Sequence, residues 1–368
     1  MGKYDHLFFT IPPEYHSWEG YASPRAGFGG TAEMPGAKMY MGFSVSTKEG
    51  VMEIPHIHHG IDEYLVFTGA DLADFFGSFD AEVEVWIGDN PNKLEKVTIT
   101  EPTVIRVPPN LWHCPIHFKR VGKPVCFIPL YLDGHWSKIN RQPGPDGRDM
   151  FIYDGAGIRR CVMDPDKLCT YCGKCFSQAA RERQEQARKE PEDPLRAFRE
   201  MEKNPRTGAF DQYVYPIKPE ASPLGEAFVS PRGRYPGHLA EPDAHVTFSY
   251  DVVKAPCSLW DEPHMHHAAE EYLFFTGYDL VDPFASFDAE IEVMIGPDPD
   301  HLESHILTAP TVIRIPPNVW HGPVRFRRVG KPVNFLPFYY DGYEARITRE
   351  RAEDGTWRYR FTGEGLPE

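Results

Sequence analysis

The fold is decided by residues 56–69, H-I-H-H-G-I-D-E-Y-L-V-F-T-G, because residues 264–277 repeat them as H-M-H-H-A-A-E-E-Y-L-F-F-T-G. The offset is a constant 208 residues, carrying His56 to His264, Glu63 to Glu271 and, farther on, His113 to His321. Residues 55–134 align without a gap on 263–342, with about 50 identities in 80 positions. Likeness of that extent marks an internal duplication, and the chain reads as two copies of one unit.

Around each motif, short apolar runs of strand length alternate with turn signals. In the first copy they fall at 38–46, 63–68, 81–87, 94–100, 103–107 and 125–132, punctuated by Gly69, Gly88, Pro102 and Pro108-Pro109-Asn110. The strict alternation of Glu82-Val83-Glu84-Val85 predicts one wet face and one buried face. Many short strands without a helical period predict an all-β chain of two tandem barrels of antiparallel or jelly-roll type. The expected layout is an arm rich in Gly, Pro and aromatics at 1–37 and a first barrel at 38–135. A linker subdomain follows at 136–221, then a second arm with its barrel at 222–343 and a polar tail at 344–368. Helix-forming segments are expected at 178–190 and 194–203. The arms are expected to pack across a barrel or onto a neighbouring subunit.

With 368 residues, each half is large enough to bury a core without disulfides. Hydrophobic residues at 41% and charged residues at 25% are those of a soluble globular protein. No apolar run approaches the roughly 18 residues that span a bilayer. Residues 1–10 lack the basic start and long apolar core of a secretory leader, so no membrane partner and a cytoplasmic location are expected. A net charge of −15 repels phosphate backbones and argues against nucleic acid as a partner. Four of the seven cysteines, Cys161, Cys169, Cys172 and Cys175, crowd into one short segment. Such spacing suits zinc or an iron–sulfur cluster in a reducing compartment, the plainer alternative being free thiols.

Within a strand, residues i and i+2 share a face, so His56 and His58 present two imidazoles side by side. Glu63 returns toward them across a turn, and His113 arrives from a distant strand after the Pro-Pro-Asn turn. Three neutral imidazoles and one carboxylate suit a divalent first-row metal and leave up to two positions for substrate or water.

The pattern H-x-H-x4-E-x5-G, followed by P-P-N-x-W-H, resembles the two motifs of the cupin superfamily, and its duplication resembles the bicupins, whose members include oxalate decarboxylase and quercetin dioxygenase. The resemblance covers both repeats but not the cysteine segment. It implies metal ligands at His56, His58, Glu63 and His113, and at His264, His266, Glu271 and His321. It also implies Fe, Mn, Ni or Cu in one or both barrels, a small-molecule substrate and a homo-oligomer. The expected substrate is oxygen-rich and chelating, an enol, hydroxyketone, diketone or carboxylate. A dioxygenase is the first expectation and a non-oxidative decarboxylase, lyase or isomerase the second. A storage or binding bicupin whose metals only hold the barrels is the third.

Arg106 and Arg314 precede the last ligand in matching strands and are the candidate catalytic residues, since a guanidinium beside a metal would bind a carboxylate or enolate bidentately. The alternative is an Arg turned outward to pair with an acid. Asp62 and Glu270 neighbour the assigned carboxylates and are alternative ligands, whereas His59 and His267 sit one step off the ligand face. Aromatic positions such as Tyr64, Phe67, Trp86 and Trp112 would line a pocket or fill the barrel core. Exchanges between the copies, Trp86 for Met294, Cys114 for Gly322 and His117 for Arg325, predict two pockets of different shape.

Overall fold

The computed structural model describes residues 2–143, 149–155, 201–340 and 345–363. β-Branched and aromatic runs closed by Gly, Pro and Asn form antiparallel strands that assemble into four sheets. Two sheets make each barrel. In the first, Glu63–Gly69 lies between Thr103–Val107 and Val125–Tyr131. Its partner sheet contains Ala81–Gly88, Trp112–Val121 and His56–Ile57. In the second, Glu270–Gly277 lies between Thr311–Ile315 and Val333–Tyr340, with Ala289–Gly296, Trp320–Val329 and His264–Met265 in the partner sheet.

The two-residue period of a strand assigns the faces. Leu65 and Phe67 enter the barrel core with Val83, Val85, Ile105 and Ile116. Tyr64 and Val66 enter a separate cluster shared with Phe248, Tyr272, Phe274 and Phe338 of the other copy, which is the seam between the barrels. The strand is therefore buried on both faces and shows no polar stripe. Across the seam the contacts are reciprocal: the Lys38 amide donates to the Tyr272 hydroxyl at 2.7 Å and the His245 amide to the Tyr64 hydroxyl at 2.9 Å.

Most expected strands appear within a residue of their limits, as Glu63–Gly69, Ala81–Gly88, Glu95–Ile99, Thr103–Val107 and Val125–Tyr131. The expected strand at 38–46 is split into Tyr40–Gly42 and Ser44–Ser46, where the second copy runs unbroken as Val246–Val253. The alternation at 82–85 leaves no fully wet face. Glu84 is buried, bound by Lys96 at 2.8 Å and His117 at 3.0 Å. Glu292, its counterpart, is held by Ser304, Arg325 and Arg327, which bring its pKa down to about 2.

The arms cross between the two barrels of one chain. Phe8–Thr10 pairs with Thr311–Ile315 of the second barrel, and Val214–Pro216, in the stretch expected to be linker, pairs with Thr103–Val107 of the first. Strands also run beyond the expected barrel limits. The hairpin Ser137–Pro143 with Asp149–Gly155 adds to His56–Ile57, and the hairpin Ala345–Arg351 with Trp357–Gly363 adds to His264–Met265. The stretch expected to be a polar tail is thus a strand pair through Gly363. Cys161, Cys169, Cys172, Cys175 and the helix-forming segment at 178–190 lie outside the described residues, and the segment at 194–203 is described only from Met201. Among the described residues no helix is long and apolar enough to cross a membrane.

Candidate metal centres

Backbone pairing brings the first and last histidines of each motif together, His56 opposite His113 and His264 opposite His321. The Pro-Pro-Asn turn delivers the last histidine. Asn110 and Asn318 take the left-handed conformation at φ 69° and 65°, which Asn tolerates well. Their amides donate to the carbonyls of His58 and His266 at 2.8 and 2.7 Å, tying the turn to the motif. The glycine that closes each motif is required by space: a Cβ on Gly69 would stand 1.9 Å from Ser78 Oγ, and one on Gly277 2.0 Å from Ser286 Oγ.

In the second barrel the ligand atoms of His264, His266, Glu271 and His321 all lie within 4.8 Å of one another, and in the first those of His56, His58 and His113 do so. Glu63 completes the first set, its Oε2 standing 3.0 Å from His58 Nε2 and 2.9 Å from His113 Nε2. Glu271 Oε2 lies 2.8 Å from His321 Nε2 and 3.4 Å from His266 Nε2.

The imidazoles are oriented by main-chain carbonyls. His56 Nδ1 donates to Ile54 O at 2.7 Å, His113 Nδ1 to Leu111 O at 3.2 Å, and His58 Nδ1 to Ser137 O. In the second barrel His266 Nδ1 donates to Ala345 O at 2.6 Å and His321 Nδ1 to Val319 O at 3.1 Å. With the proton on Nδ1, each Nε2 lone pair points inward, the tautomer that metal ligation needs. The buried Nε2 atoms of His58, His113, His264, His266 and His321 have no hydrogen-bond partner, nor has Glu63 Oε2 or either Glu271 oxygen. Unpartnered buried acceptors converging on one point are costly in a protein alone and are satisfied by a cation, so the residues fit a divalent metal. Burial, with the neighbouring imidazoles, holds His56 and His264 well below the usual histidine range. Burial alone would raise the Glu63 and Glu271 carboxyls, but in the metal-free protein the positive charge that the facing histidines can carry reverses this and pulls both down.

The remaining candidates fall elsewhere. Arg106 pairs directly with Tyr64, so it projects from the seam face of the sheet, opposite to Glu63. Its Nε is 3.1 Å from both carboxylate oxygens of Asp62. Arg314 binds Glu270 in the same way, Nε to Oε1 at 2.8 Å. The structure therefore joins each arginine to the acid beside the ligand glutamate and turns both away from the metal cages. Strand parity puts Asp62 and Glu270 there too. His59 and His267 are exposed and meet the side-chain oxygens of Asn110 and Asn318 at 3.0 and 2.8 Å. The exchange of His117 for Arg325 concerns the acid–base pairs with Glu84 and Glu292, not a pocket.

The two cages differ in what stands over them. The first opens into a cavity of about 530 Å³ whose wall includes His56, Glu63, His113 and Cys114 together with Arg25 and Lys138. Tyr131 packs edge-on against His58 at 4.9 Å between ring centres and its hydroxyl binds Glu63; burial, then that carboxylate, holds the phenol well above its usual range. Over the second cage, Trp260 packs against His264 at 4.8 Å and His321 at 6.2 Å, with the Arg346 guanidinium 4.9 Å from the indole centre. The second barrel's cavity of about 420 Å³ is lined by Trp260, Tyr339 and Arg346 but by none of the four ligand residues. Sequence reading missed Glu53, Tyr131, Lys138, Trp260 and Arg346. The repeated Y-x-D-G after each last strand was a signal for Tyr131 and Tyr339. Lys138 and Arg346 lie just past the gap-free block.

Four-ligand cages inside two tandem antiparallel barrels define the class: the chain has the duplicated cupin, or bicupin, fold. It is similar to solved structures of Bacillus subtilis oxalate decarboxylase. A deletion mutant of that enzyme superposes with a TM-score of 0.54 at 12% identity over 93% of this chain and 79% of that one. A structure concerned with that enzyme's substrate binding mode and a reaction specificity switch gives 0.53 at 12% identity with the same coverage. One concerned with its Mn(II) centres gives 0.54 at 12% identity, again with the same coverage. Neither a protein-family model nor a curated protein sequence matches the chain.

Proposed function

We propose that this chain is a metal-dependent enzyme whose first barrel takes a small carboxylate-bearing substrate and cleaves it without net oxidation, as a decarboxylase or related lyase. The observation that carries the reading is the asymmetry of the cages: His56, His113 and Glu63 face a cavity of about 530 Å³, while Trp260 stands over His264 and His321. A cavity of that volume accepts a small organic acid with room to spare. Two cations stand on its wall, Arg25 paired with Glu14 at 2.6 Å and Lys138 paired with Glu53 at 2.5 Å, and these are the groups that would meet a substrate carboxylate. The likeness to oxalate decarboxylase supports a non-oxidative reaction ahead of the dioxygenase expected from sequence, and the Mn(II) of that enzyme makes manganese the first metal to test.

His56, His58, Glu63 and His113 would hold the metal, which when bound supplies Lewis acidity toward a substrate oxygen. The chain's own residues do the rest. Tyr131 fixes the Glu63 carboxylate through its hydroxyl and, being buried, stays protonated while doing so. Aromatic and apolar wall residues, Leu65, Phe127 and Trp136 among them, exclude water from the reacting carbon. Lys138 and Arg25 offer positive charge to the substrate's carboxylate.

The experiment is a turnover assay of the Mn(II)-loaded protein on a series of small mono- and dicarboxylates, following CO2 release with oxygen present and absent. Release at equal rates in both supports the proposal. Release that requires oxygen and consumes it in proportion returns the dioxygenase reading. No turnover of any acid, with both cages loaded, leaves a binding protein.

A further inference from the structure

Where the chain enters each cage, the two halves have diverged. Strand register gives the correspondence: Met52 lies opposite Ile116 as Leu259 lies opposite Val324. The second copy then takes one extra residue to reach its first histidine, so Glu53 occupies the place of Trp260. Both hold the left-handed backbone, at φ 63° and 54°. Lys138 and Arg346 correspond likewise, each following the carbonyl that orients the second histidine, Ser137 O and Ala345 O. In the second barrel the corresponding pair is Trp260 under Arg346. In the first it is an ion pair on the cavity wall, Lys138 Nζ to Glu53 Oε2 at 2.5 Å. The pair is only part-buried, with side chains 16% and 32% exposed, so it can open without stranding either charge in a dry core.

We infer that Lys138 is the carboxylate-recognition residue of the first barrel and that Glu53 is its built-in competitor. The substrate enters by ion exchange: its carboxylate replaces that of Glu53 on Lys138, and its remaining oxygens face the metal ligands. One carboxylate–ammonium pair is lost and one gained, so the number of paired charges on the wall is unchanged. An uncharged analogue of the same shape has nothing to exchange and meets Glu53 still on the lysine. Selection against neutral molecules is therefore set by an intramolecular rival. In the second barrel an indole, Trp260, stands where Glu53 stands in the first. This inference rests on the reading that the first barrel takes carboxylates, but it concerns binding and is tested without turnover.

The test is equilibrium binding of formate, oxalate, malonate and malonamide to the full-length Mn(II)-loaded protein. It is read by titration calorimetry and by the change in the Mn(II) electron paramagnetic resonance signal. Glu53→Gln, which keeps a hydrogen-bonding group but removes the competing charge, is expected to tighten the best-bound carboxylate about five- to tenfold. Lys138→Met is expected to weaken it at least about tenfold, and Lys138→Arg to restore most of the loss. Malonamide is expected to bind none of the variants measurably. Manganese content and melting midpoint are measured for each variant, and Glu53→Ala serves as a second removal of the competitor should Glu53→Gln fold poorly. The inference is overturned if both Glu53 variants bind carboxylates no better than the parent, if Lys138→Met binds them as well as the parent, or if no carboxylate binds at all. The expected binding pattern in a protein that releases no CO2 would retain the inference and discard the decarboxylase.

Discussion

Five ligand imidazoles are each set by a carbonyl on the other nitrogen, and those carbonyls come from five different places in the chain. Ile54 and Leu111 lie within two residues of the histidines they orient, whereas Ser137 O reaches His58 from the added hairpin. A cage built this way loses its metal when its one anionic ligand is neutralised. Glu63→Gln and Glu271→Gln are each expected to lower bound metal from two equivalents toward one. Only Glu63→Gln should reduce turnover, by about 100-fold or more given the several kcal/mol a Lewis acid supplies. Elemental analysis beside the CO2 assay checks both, and loss of turnover only in Glu271→Gln would move the working site to the second barrel. The same residues set an acid limit. Burial, with neighbouring imidazoles, keeps His56 and His264 neutral in the metal-free protein. Their folded pKa lies below the unfolded value of about 6.5, so as pH falls the unfolded chain takes up protons first. Stability present above about pH 6.5 is lost below it, by up to about 1.4 kcal/mol per histidine per pH unit. Protonation of the depressed Glu63 and Glu271 adds to the loss below about pH 4.5. Melting of the metal-free protein across pH 7 to 5 should show a steady decline, and a flat midpoint would contradict neutral histidines.

At the scale of elements, the glycine ending the motif strand carries the sharpest expectation. Gly69 passes so close to the turn at Ser78 that an added Cβ meets both Oγ at 1.9 Å and the backbone carbon at 2.7 Å. Because backbone blocks the space, truncating Ser78 offers no relief. Gly69→Ala should therefore cost about 1–3 kcal/mol, as overpacking in rigid surroundings does. Thermal denaturation measures it, and a change under about 0.5 kcal/mol would mean the turn moves freely. How far elements could be read from sequence follows the same physics. Strands such as Thr103–Val107 were legible because turn residues bound them on both sides. The cage residues were legible because three histidines and one glutamate recur at one spacing. Arg106 was not, since the Pro108-Pro109 turn breaks the two-residue parity between it and His113, and only pairing with Tyr64 reveals its face. Glu53 and Trp260 were hidden by a single extra residue before His264, which shifts the copies out of the constant offset just where they differ. Lys138 and Arg346 lie in polar hairpins that carry no alternating hydrophobic pattern.

At the scale of the molecule, the two barrels share one seam, and Glu241 is buried there, whereas Glu33, its counterpart at the 208-residue offset, is only part-buried. Glu241 stands in the second arm near Tyr235, facing Arg106 and Asp62 of the first barrel. Burial raises its pKa to about 7; Tyr235 and Arg106 offset this in part, while the Asp62 charge adds to it. A carboxyl whose folded pKa exceeds its unfolded value near 4.5 binds its proton more tightly when folded. Stability is then lost as pH rises from about 4.5 to 7 and levels off above, the full penalty being about 3 kcal/mol for a shift of this size. Glu241→Gln keeps the neutral shape and removes the titration. Its melting midpoint should exceed the parent's by a few degrees at pH 8, with a gain that shrinks toward pH 4.5. Because Tyr64, Phe248, Tyr272 and Phe338 from the two copies pack in one cluster, relief at the seam should strengthen both barrels together. Calorimetry is therefore expected to show one transition that moves as a whole. Two transitions, with only the second barrel's shifting, would mean that the barrels unfold independently and that the seam does not couple them.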